Sequence, residues 1–326
     1  MAVLRLTDVI VPEEFAQYIT EESVKLTTFF RSGILAIDPK VAGFLAGGGT
    51  TFNMPFWQRL TGAAQAIQSD YTITTDKTTT SKMVARRLLY GNGWSSEELA
   101  SVLAGDNAFN AMRDMVDQWW DEQMQIILLA TMRGIVDDNE DNDSSDLVND
   151  ISTNGTVTAA NRISSDAFID TYALLGDKSD FVAVGMHSVP YFKLVKDNLI
   201  TFTATSAQDI GFGTYLGLTV IVNDQIYKEA QGSNTQYWTF LFRAGSIGFG
   251  ESAANITPVE IDRTAAKSED NLFTRRQFAM HPMGFKWIEN SVADDMPTVN
   301  ELQYAGNWDR VMDKKLCGFV TLKTNG

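Results

Sequence analysis

Apolar positions along this chain change period several times, and the changes divide it into elements. After Pro12 the residues Phe15, Ile19, Leu26, Phe29 and Phe30 recur as a helical stripe, with Glu13 and Glu14 at the positive end of the helix dipole. That stripe ends at Ser32–Gly33, and a glycine-rich stretch from Gly43 to Gly49 follows. Residues 1–50 are therefore expected to be a helix plus a flexible arm with little core of its own. From Thr51 the period becomes strand-like, with Phe52, Met54 and Phe56 on one alternation and Met83, Ala85, Arg87 and Leu89 on another. The polar run from Thr72 to Ser81 separates them, so a long-tipped hairpin is expected. A two-stranded hairpin is marginally stable alone in water and needs another surface to rest on.

Helical spacing returns after Trp94. Ser95 or Ser96 is expected to cap a helix carrying Glu97, Glu98, Leu99, Val102 and Leu103, which Gly105–Asp106 interrupts. A second pattern spans Asn107 to Val136 through Phe109, Met112, Val116, Trp119, Trp120, Ile127 and Leu128; at about 1.5 Å per residue it would reach roughly 45 Å. Trp119 and Trp120 are adjacent and so point about 100° apart, which requires one of them to meet a second layer or another molecule. Asp137 to Asp150 holds acids with no Lys or Arg and is expected to be a solvated loop. Short helices at 164–175 and 189–196 then alternate with strands at 181–184 and 218–222. Strand-like segments follow at 237–242, 246–249, 259–261, 273–287 and 315–322, so the fold class expected is α+β.

Composition narrows the function more than it widens it. A hydrophobic content of 44% with 19 Phe and 7 Trp requires a folded chain, and 326 residues allow two compact domains or one with extended arms. A net charge of -15 opposes gripping nucleic acid, because phosphate binding rests on Lys and Arg releasing counterions; it does not oppose a wall that merely encloses nucleic acid. One cysteine, Cys317, allows neither an intrachain disulfide nor a zinc cluster. The N-terminal residues lack the pattern of a secretion signal, and the apolar runs are too short to span a bilayer, so no membrane role is expected.

Catalytic chemistry is thinly supplied. His187 and His281 are the two histidines; His187 with Asp177 or Asp180 is the arrangement an enzyme would use, but a base needs an oriented partner that the sequence does not show. Both histidines are expected to be structural. Asp137, Asn139 and Asp141 begin like a calcium loop, yet Asn142 stands where glycine is required and Val148 where glutamate is required. Gly47–Gly48–Gly49–Thr50 lacks the lysine of a phosphate loop and is expected to be a joint. No catalytic residue, cofactor or metal is assigned.

A set of ordered motifs resembles the tailed-phage major capsid proteins. Arg275–Arg276, Phe278, His281–Pro282 and Gly284–Phe285–Lys286–Trp287 are similar to that family's late signature. Ser32–Gly33–Ile34, Pro55–Phe56–Trp57 with Leu60 and Gly62, Trp94, and Leu103–Ala104–Gly105–Asp106 precede it in the family's order, as do Trp119–Trp120, Gln125 and Arg133–Gly134. Met186–His187–Ser188, Leu194, Asn198–Leu199–Ile200 and Tyr215–Leu216–Gly217 before Val220–Ile221–Val222 look like its axial domain.

The resemblance implies a Hong Kong 97-type capsid fold. Its parts would be an N-arm over 1–50, an extended E-loop over 51–95, a peripheral-domain spine helix over 96–136, an axial domain over 137–242, peripheral strands over 243–295 and an axial C-terminal segment over 296–326. It implies copies of the chain in pentamers and hexamers closing into an icosahedral head around double-stranded DNA, with a portal protein, a scaffolding protein and a decoration protein as partners. Because the chain starts almost at once with the arm helix, the scaffold is expected to be separate. The virion, and the host cytoplasm during assembly, are the implied locations. An encapsulin-like compartment is the alternative of the same fold. Limbs that leave their own domain bury apolar groups on neighbours, so the expected intersubunit contacts are Phe15, Phe52, Phe56, Trp57, Met83, Leu89, Trp119 and Trp120. Arg86 and Arg87 would either pair with an acidic neighbour or stay solvated. Lys77 near the hairpin tip is the position a covalent cross-link would use, with no asparagine partner identified.

Overall fold

The computed structural model describes residues 34–37, 39–67, 72–99, 102, 108–178, 180–201 and 213–326. The expected helix around Phe15 lies outside the described residues, as does most of the one expected around Leu103.

A seven-stranded sheet forms the larger body. Its spine is β10 (Asn234–Arg243), whose Tyr237–Phe242 run is apolar on both faces, the composition of a strand covered from two sides. β16 (Phe319–Thr324) pairs antiparallel on one flank, Tyr237 opposite Thr324 and Phe242 opposite Phe319, and β6 (Phe181–Met186) pairs antiparallel on the other. Beyond them lie β5 (Val148–Asp150), β8 (Leu218–Val222) and β7 (Thr214–Tyr215), while β9 (Lys228–Gln231) forms a hairpin with β10. The C-terminal strand is thus an interior member of the sheet, inserted between β5 and β10.

The second sheet is organised by β13 (Glu269–Pro282), the longest strand. Its first ten residues pair with β4 (Leu88–Glu97) on one side and, through Glu269–Thr274, with β12 (Val259–Thr264). Its last five pair with β11 (Ile247–Glu251), which also carries β1 (Leu35–Ile37) in parallel. Ser95 and Ser96 are therefore buried strand residues, not a helix cap: Asn271 and Asp270 stand opposite them and supply the ladder. Residues 88–95 of the segment expected as the E-loop therefore lie in this sheet.

Two helices depart from the sequence pattern. α1 (Pro39–Leu45) occupies part of the stretch expected to be a flexible arm and ends before the expected joint at Gly47–Thr50. Val41 and Leu45, one turn apart, are buried on Ala279, and the helix lies so close to β11 that a Cβ on Gly250 would sit 2.8 Å from the Ala42 nitrogen. α2 (Ala108–Asn142) runs 35 residues, six beyond Val136. The acids expected in a loop stay helical because cations meet them: Arg133, one turn back on the same helix, pairs with Asp137 at 3.3 Å, the distant Lys323 pairs with Glu140 at 2.6 Å, and the distant Arg310 pairs with Asp143 and Asp146 at 3.2 and 2.7 Å just past the helix end.

α3 (Ser165–Ala173) and α4 (Ser188–Lys196) belong to the larger body; Phe168 and Leu194, both fully buried, tie them into its core. α5 (Val299–Gln303) begins with a capping box formed by Thr298 and Glu301 and packs on α2. The chain returns along α2 through β15 (Trp308–Arg310), which pairs with β14 (Phe285–Trp287).

Candidate assembly surface

The projecting limb is a hairpin of β2 (Thr51–Trp57) and β3 (Thr80–Arg86), with Thr51 opposite Arg86 and Trp57 opposite Thr80. Past the ladder one more backbone bond and then side chains join the two arms. Gln58 N–H donates to the Thr79 carbonyl at 2.9 Å, Thr78 Oγ1 donates to the Gln58 carbonyl at 2.9 Å, and Gln65 bonds both ways with the backbone of Thr74. Polar side chains thus extend the pairing where the backbone ladder ends.

Large apolar groups are concentrated here. Trp57 is 72% exposed, Leu60 76%, Ile67 74% and Ile73 56%. Exposed apolar groups scattered singly are ordinary; four on one limb form the kind of exposed apolar surface that marks interaction sites. Phe56 and Trp57 also line an open cleft of about 620 Å³ together with Met312 and Leu316 of the body.

The other expected contact residues divide. Phe52 is half-buried and stacks on Phe44 of its own chain, ring centroids 4.4 Å apart. Met83 and Leu89 are half-buried, and Met83 Sδ accepts from the Gly284 N–H at 3.4 Å. Trp120 is 1% exposed and its Nε1 donates to Thr274 Oγ1 at 2.8 Å, so it is a core residue of this chain with no surface to offer. Trp119 is half-buried, edge-on to Trp94 at 5.0 Å and to Trp120 at 4.9 Å. Arg86 and Arg87 both find partners within the chain: Arg86 pairs with Glu289 at 2.9 Å, and Arg87 Nη2 donates to the Gly47 carbonyl at 2.6 Å. Phe15 is outside the described residues. Lys77 is exposed near the tip.

Leu60, Ile67, Ile73, and Val259 and Ile261 on edge strand β12, 55% and 56% exposed, were not singled out from the sequence as contacts. Ile67 and Ile73 each stand in a run without a periodic apolar partner, Leu60 entered only through the family motif, and Val259 and Ile261 alternate as a strand whose exposed face the sequence does not reveal.

The titratable groups are used structurally. His187 caps α4, its Nδ1 accepting from the Val189 N–H at 3.2 Å, and burial holds its pKa below the usual histidine value. Its neighbouring acid is Asp224; Asp177 pairs with Lys315 and Asp180 with Arg243. His281 is buried in β13 and pushed down to about 4, so it is neutral at pH 7. Burial raises the Cys317 thiol to about 12, which keeps it protonated and unreactive. Among the described residues no group of three or more His, Cys, Asp or Glu is placed to hold a metal ion.

Comparison with known proteins matches residues 93–320 to the model of the Gp13-like family, described as major capsid protein 13-like. A major capsid protein of Bacillus phage SPP1 is 36% identical over 327 residues, covering 99% of this chain and 98% of that one. Among solved structures, the capsid of Ralstonia phage GP4 superposes with a TM-score of 0.64 at 8% identity, covering 97% of this chain and 96% of that one. The capsid of cyanophage Pam1 gives 0.62 at 10% identity, with 96% of each chain covered. At such identities the structural likeness carries the fold alone.

Proposed function

This chain belongs to the Gp13-like family of major capsid proteins, with the Hong Kong 97-type fold, and from that premise we propose how it builds the head of its tailed phage. Copies close into an icosahedral shell from pentamers and hexamers, each copy laying its hairpin on a neighbour, and the shell encloses double-stranded DNA without gripping it. The observation that carries this is the hairpin: Trp57, Leu60, Ile67 and Ile73 lie exposed on a limb held out by its own side-chain bonds. An isolated limb of that kind gains its stability by burial elsewhere.

The contact set is then Trp57, Leu60, Ile67 and Ile73, with Phe56 and Trp119 contributing their exposed edges and Phe15 acting from the N-arm. In domain terms, 1–50 is the N-arm, 51–86 the E-loop, the β13 sheet with the spine helix the peripheral domain, and the β10 sheet the axial domain. The acidic surface fits enclosure, since like charge repels packaged phosphate. Portal, scaffolding and decoration proteins are the proposed partners, the host cytoplasm the place of assembly, and the work structural rather than catalytic. Electron microscopy of the purified protein, with and without a scaffold, tests the reading: closed shells or five- and six-membered rings are expected. A monodisperse monomer under every assembly condition sinks it.

A further inference from the structure

The hairpin is rooted where Thr51 stands opposite Arg86, and two consecutive arginines, Arg86 and Arg87, stand at that root. β3 ends at Arg86 and β4 begins at Leu88, so the chain changes sheet at Arg87. Arg86 is 5% exposed; it pairs with Glu289 at 2.9 Å and donates to the Asp295 carbonyl. Arg87 reaches other segments. Its Nη2 donates to the Gly47 carbonyl at 2.6 Å and its guanidinium lies 5.6 Å from the centre of the Phe44 ring, while its N–H donates to the Thr50 carbonyl at 2.9 Å.

Successive residues of an extended chain face opposite sides, which is why an Arg–Arg pair serves two segments at once. One arginine holds the 289–295 segment beyond β14, and the other holds the turn from which β2 departs. Two further bonds fasten the same root: Met83 Sδ to the Gly284 N–H, and the Tyr90 hydroxyl to the Pro297 carbonyl at 2.6 Å. Glu289 adopts φ 62, a left-handed conformation that non-glycine residues take only where the surroundings impose it. The strain is local to the residue that meets Arg86.

Leverage makes this root matter. At about 3.3 Å per residue, the arm from Thr51 to Ile67 reaches up to roughly 50 Å, so a tilt of about 5° at the root moves the tip by roughly 4 Å. That exceeds the tolerance of a packed apolar contact. We propose that Arg86 and Arg87 are positioning residues for assembly: a two-sided clamp that sets the direction of the hairpin and, through it, the angle between neighbouring copies and the curvature of the shell. The inference rests on the assembly reading above.

The test separates direction from stability. Spin labels at Lys77→Cys and Asp170→Cys report the hairpin-to-body distance in unassembled subunits, the buried Cys317 staying unlabelled. A single narrow distance distribution is expected for the parent and a broadened one, displaced by several ångströms, for Arg87→Gln and for Glu289→Gln; Arg87→Lys, which keeps charge but loses the fork, falls between. Shells from the two neutral variants are expected to show mixed diameters or open sheets, with subunit Tm close to the parent's for Arg87→Gln and lower for Glu289→Gln, which leaves the buried Arg86 without its counter-ion. Distance distributions that coincide with the parent's, or shells of parental diameter from both variants, overturn the proposal. If the parent itself builds no shell, the assembly reading falls instead, and the distance measurement still decides whether the clamp exists.

Discussion

The side-chain amide of Gln65 meets the backbone of Thr74 in both directions, Nε2 donating to the carbonyl at 3.0 Å and Oε1 accepting from the N–H at 3.1 Å. An antiparallel neighbour residue offers the same two bonds, so one glutamine stands in for a strand where the ladder has ended at Trp57 and Thr80. Removing it with Gln65→Ala costs about 1 kcal/mol of hydrogen bonding. Amide exchange at Thr74 is expected to speed up several-fold while Val184, in the larger sheet, is unchanged. Peptide-resolved hydrogen exchange checks this; uniform exchange across both segments would show that the hairpin is not held by that contact.

The adjacent tryptophans make a matched pair for a second experiment. Trp120 is buried and hydrogen-bonded to Thr274, whereas Trp119 keeps part of its surface. Trp120→Ala is expected to cost about 3–5 kcal/mol, the range for emptying a core aromatic site, and Trp119→Ala clearly less. Urea unfolding of the two variants decides it, and equal losses would place Trp119 in the core as well.

How far the sequence could be followed depended on where each segment's partner lies. The run Tyr237 to Phe242 is apolar on both faces, and no partner is needed to recognise it as a central strand. Helix α2 was legible to Val136 and no further, because the cations that keep Glu140 helical and tie down its end, Lys323 and Arg310, lie more than 160 residues away. Ser95–Ser96 has the chemistry of a helix cap, and only the remote strand β13 makes it a ladder instead. Within the proposed contact surface, Phe56 stood out by its alternation with Phe52 and Met54, and Trp57 only through the Pro55–Phe56–Trp57 motif. Leu60, Ile67 and Ile73 did not, since a lone apolar residue among polar ones has no period and its purpose shows only when the limb is seen to project.

Asp138 on α2 is 1% exposed, and burial pushes its pKa up to about 6; Asp143 and Asp309 add to the rise, while Asn142 and Arg310 oppose it. A carboxyl whose folded pKa lies above its unfolded value binds its proton more tightly in the fold. The fold is therefore favoured most below the ordinary carboxylate range, loses stability as pH rises to about 6, and carries a constant cost above that. Asp138→Asn, which can still accept from Asn142, is expected to raise Tm at pH 7.5 and to leave it nearly unchanged at pH 4. A gain of equal size at both values would rule out the titration as its source.

Gly134 lets the returning chain lie against α2. A Cβ there would stand 2.7 Å from Trp308 Nε1, the atom that donates to the Leu302 carbonyl at 2.9 Å. Helix propensity favours alanine over glycine by about 1 kcal/mol, yet overpacking of this kind costs about 1–3 kcal/mol and disturbs a buried hydrogen bond besides. The steric cost wins: Gly134→Ala is expected to lower Tm by a few degrees, and a scan showing higher Tm would mean that the C-terminal segment shifts freely.

Leu60 and Ile67 present the sharpest separation between folding and assembly. Each is about three-quarters exposed on the subunit, so replacing both with serine removes almost nothing from the subunit's own core, and its Tm should not move. If each is buried on a neighbour, its loss removes about 1.5–3 kcal/mol of apolar burial per contact. A deficit of that size at a single interface raises the subunit concentration needed for assembly by at least about tenfold. Light scattering against subunit concentration measures the threshold directly. A lowered Tm with an unmoved threshold would mean that the hairpin's apolar groups serve their own chain, and that the shell is held together elsewhere.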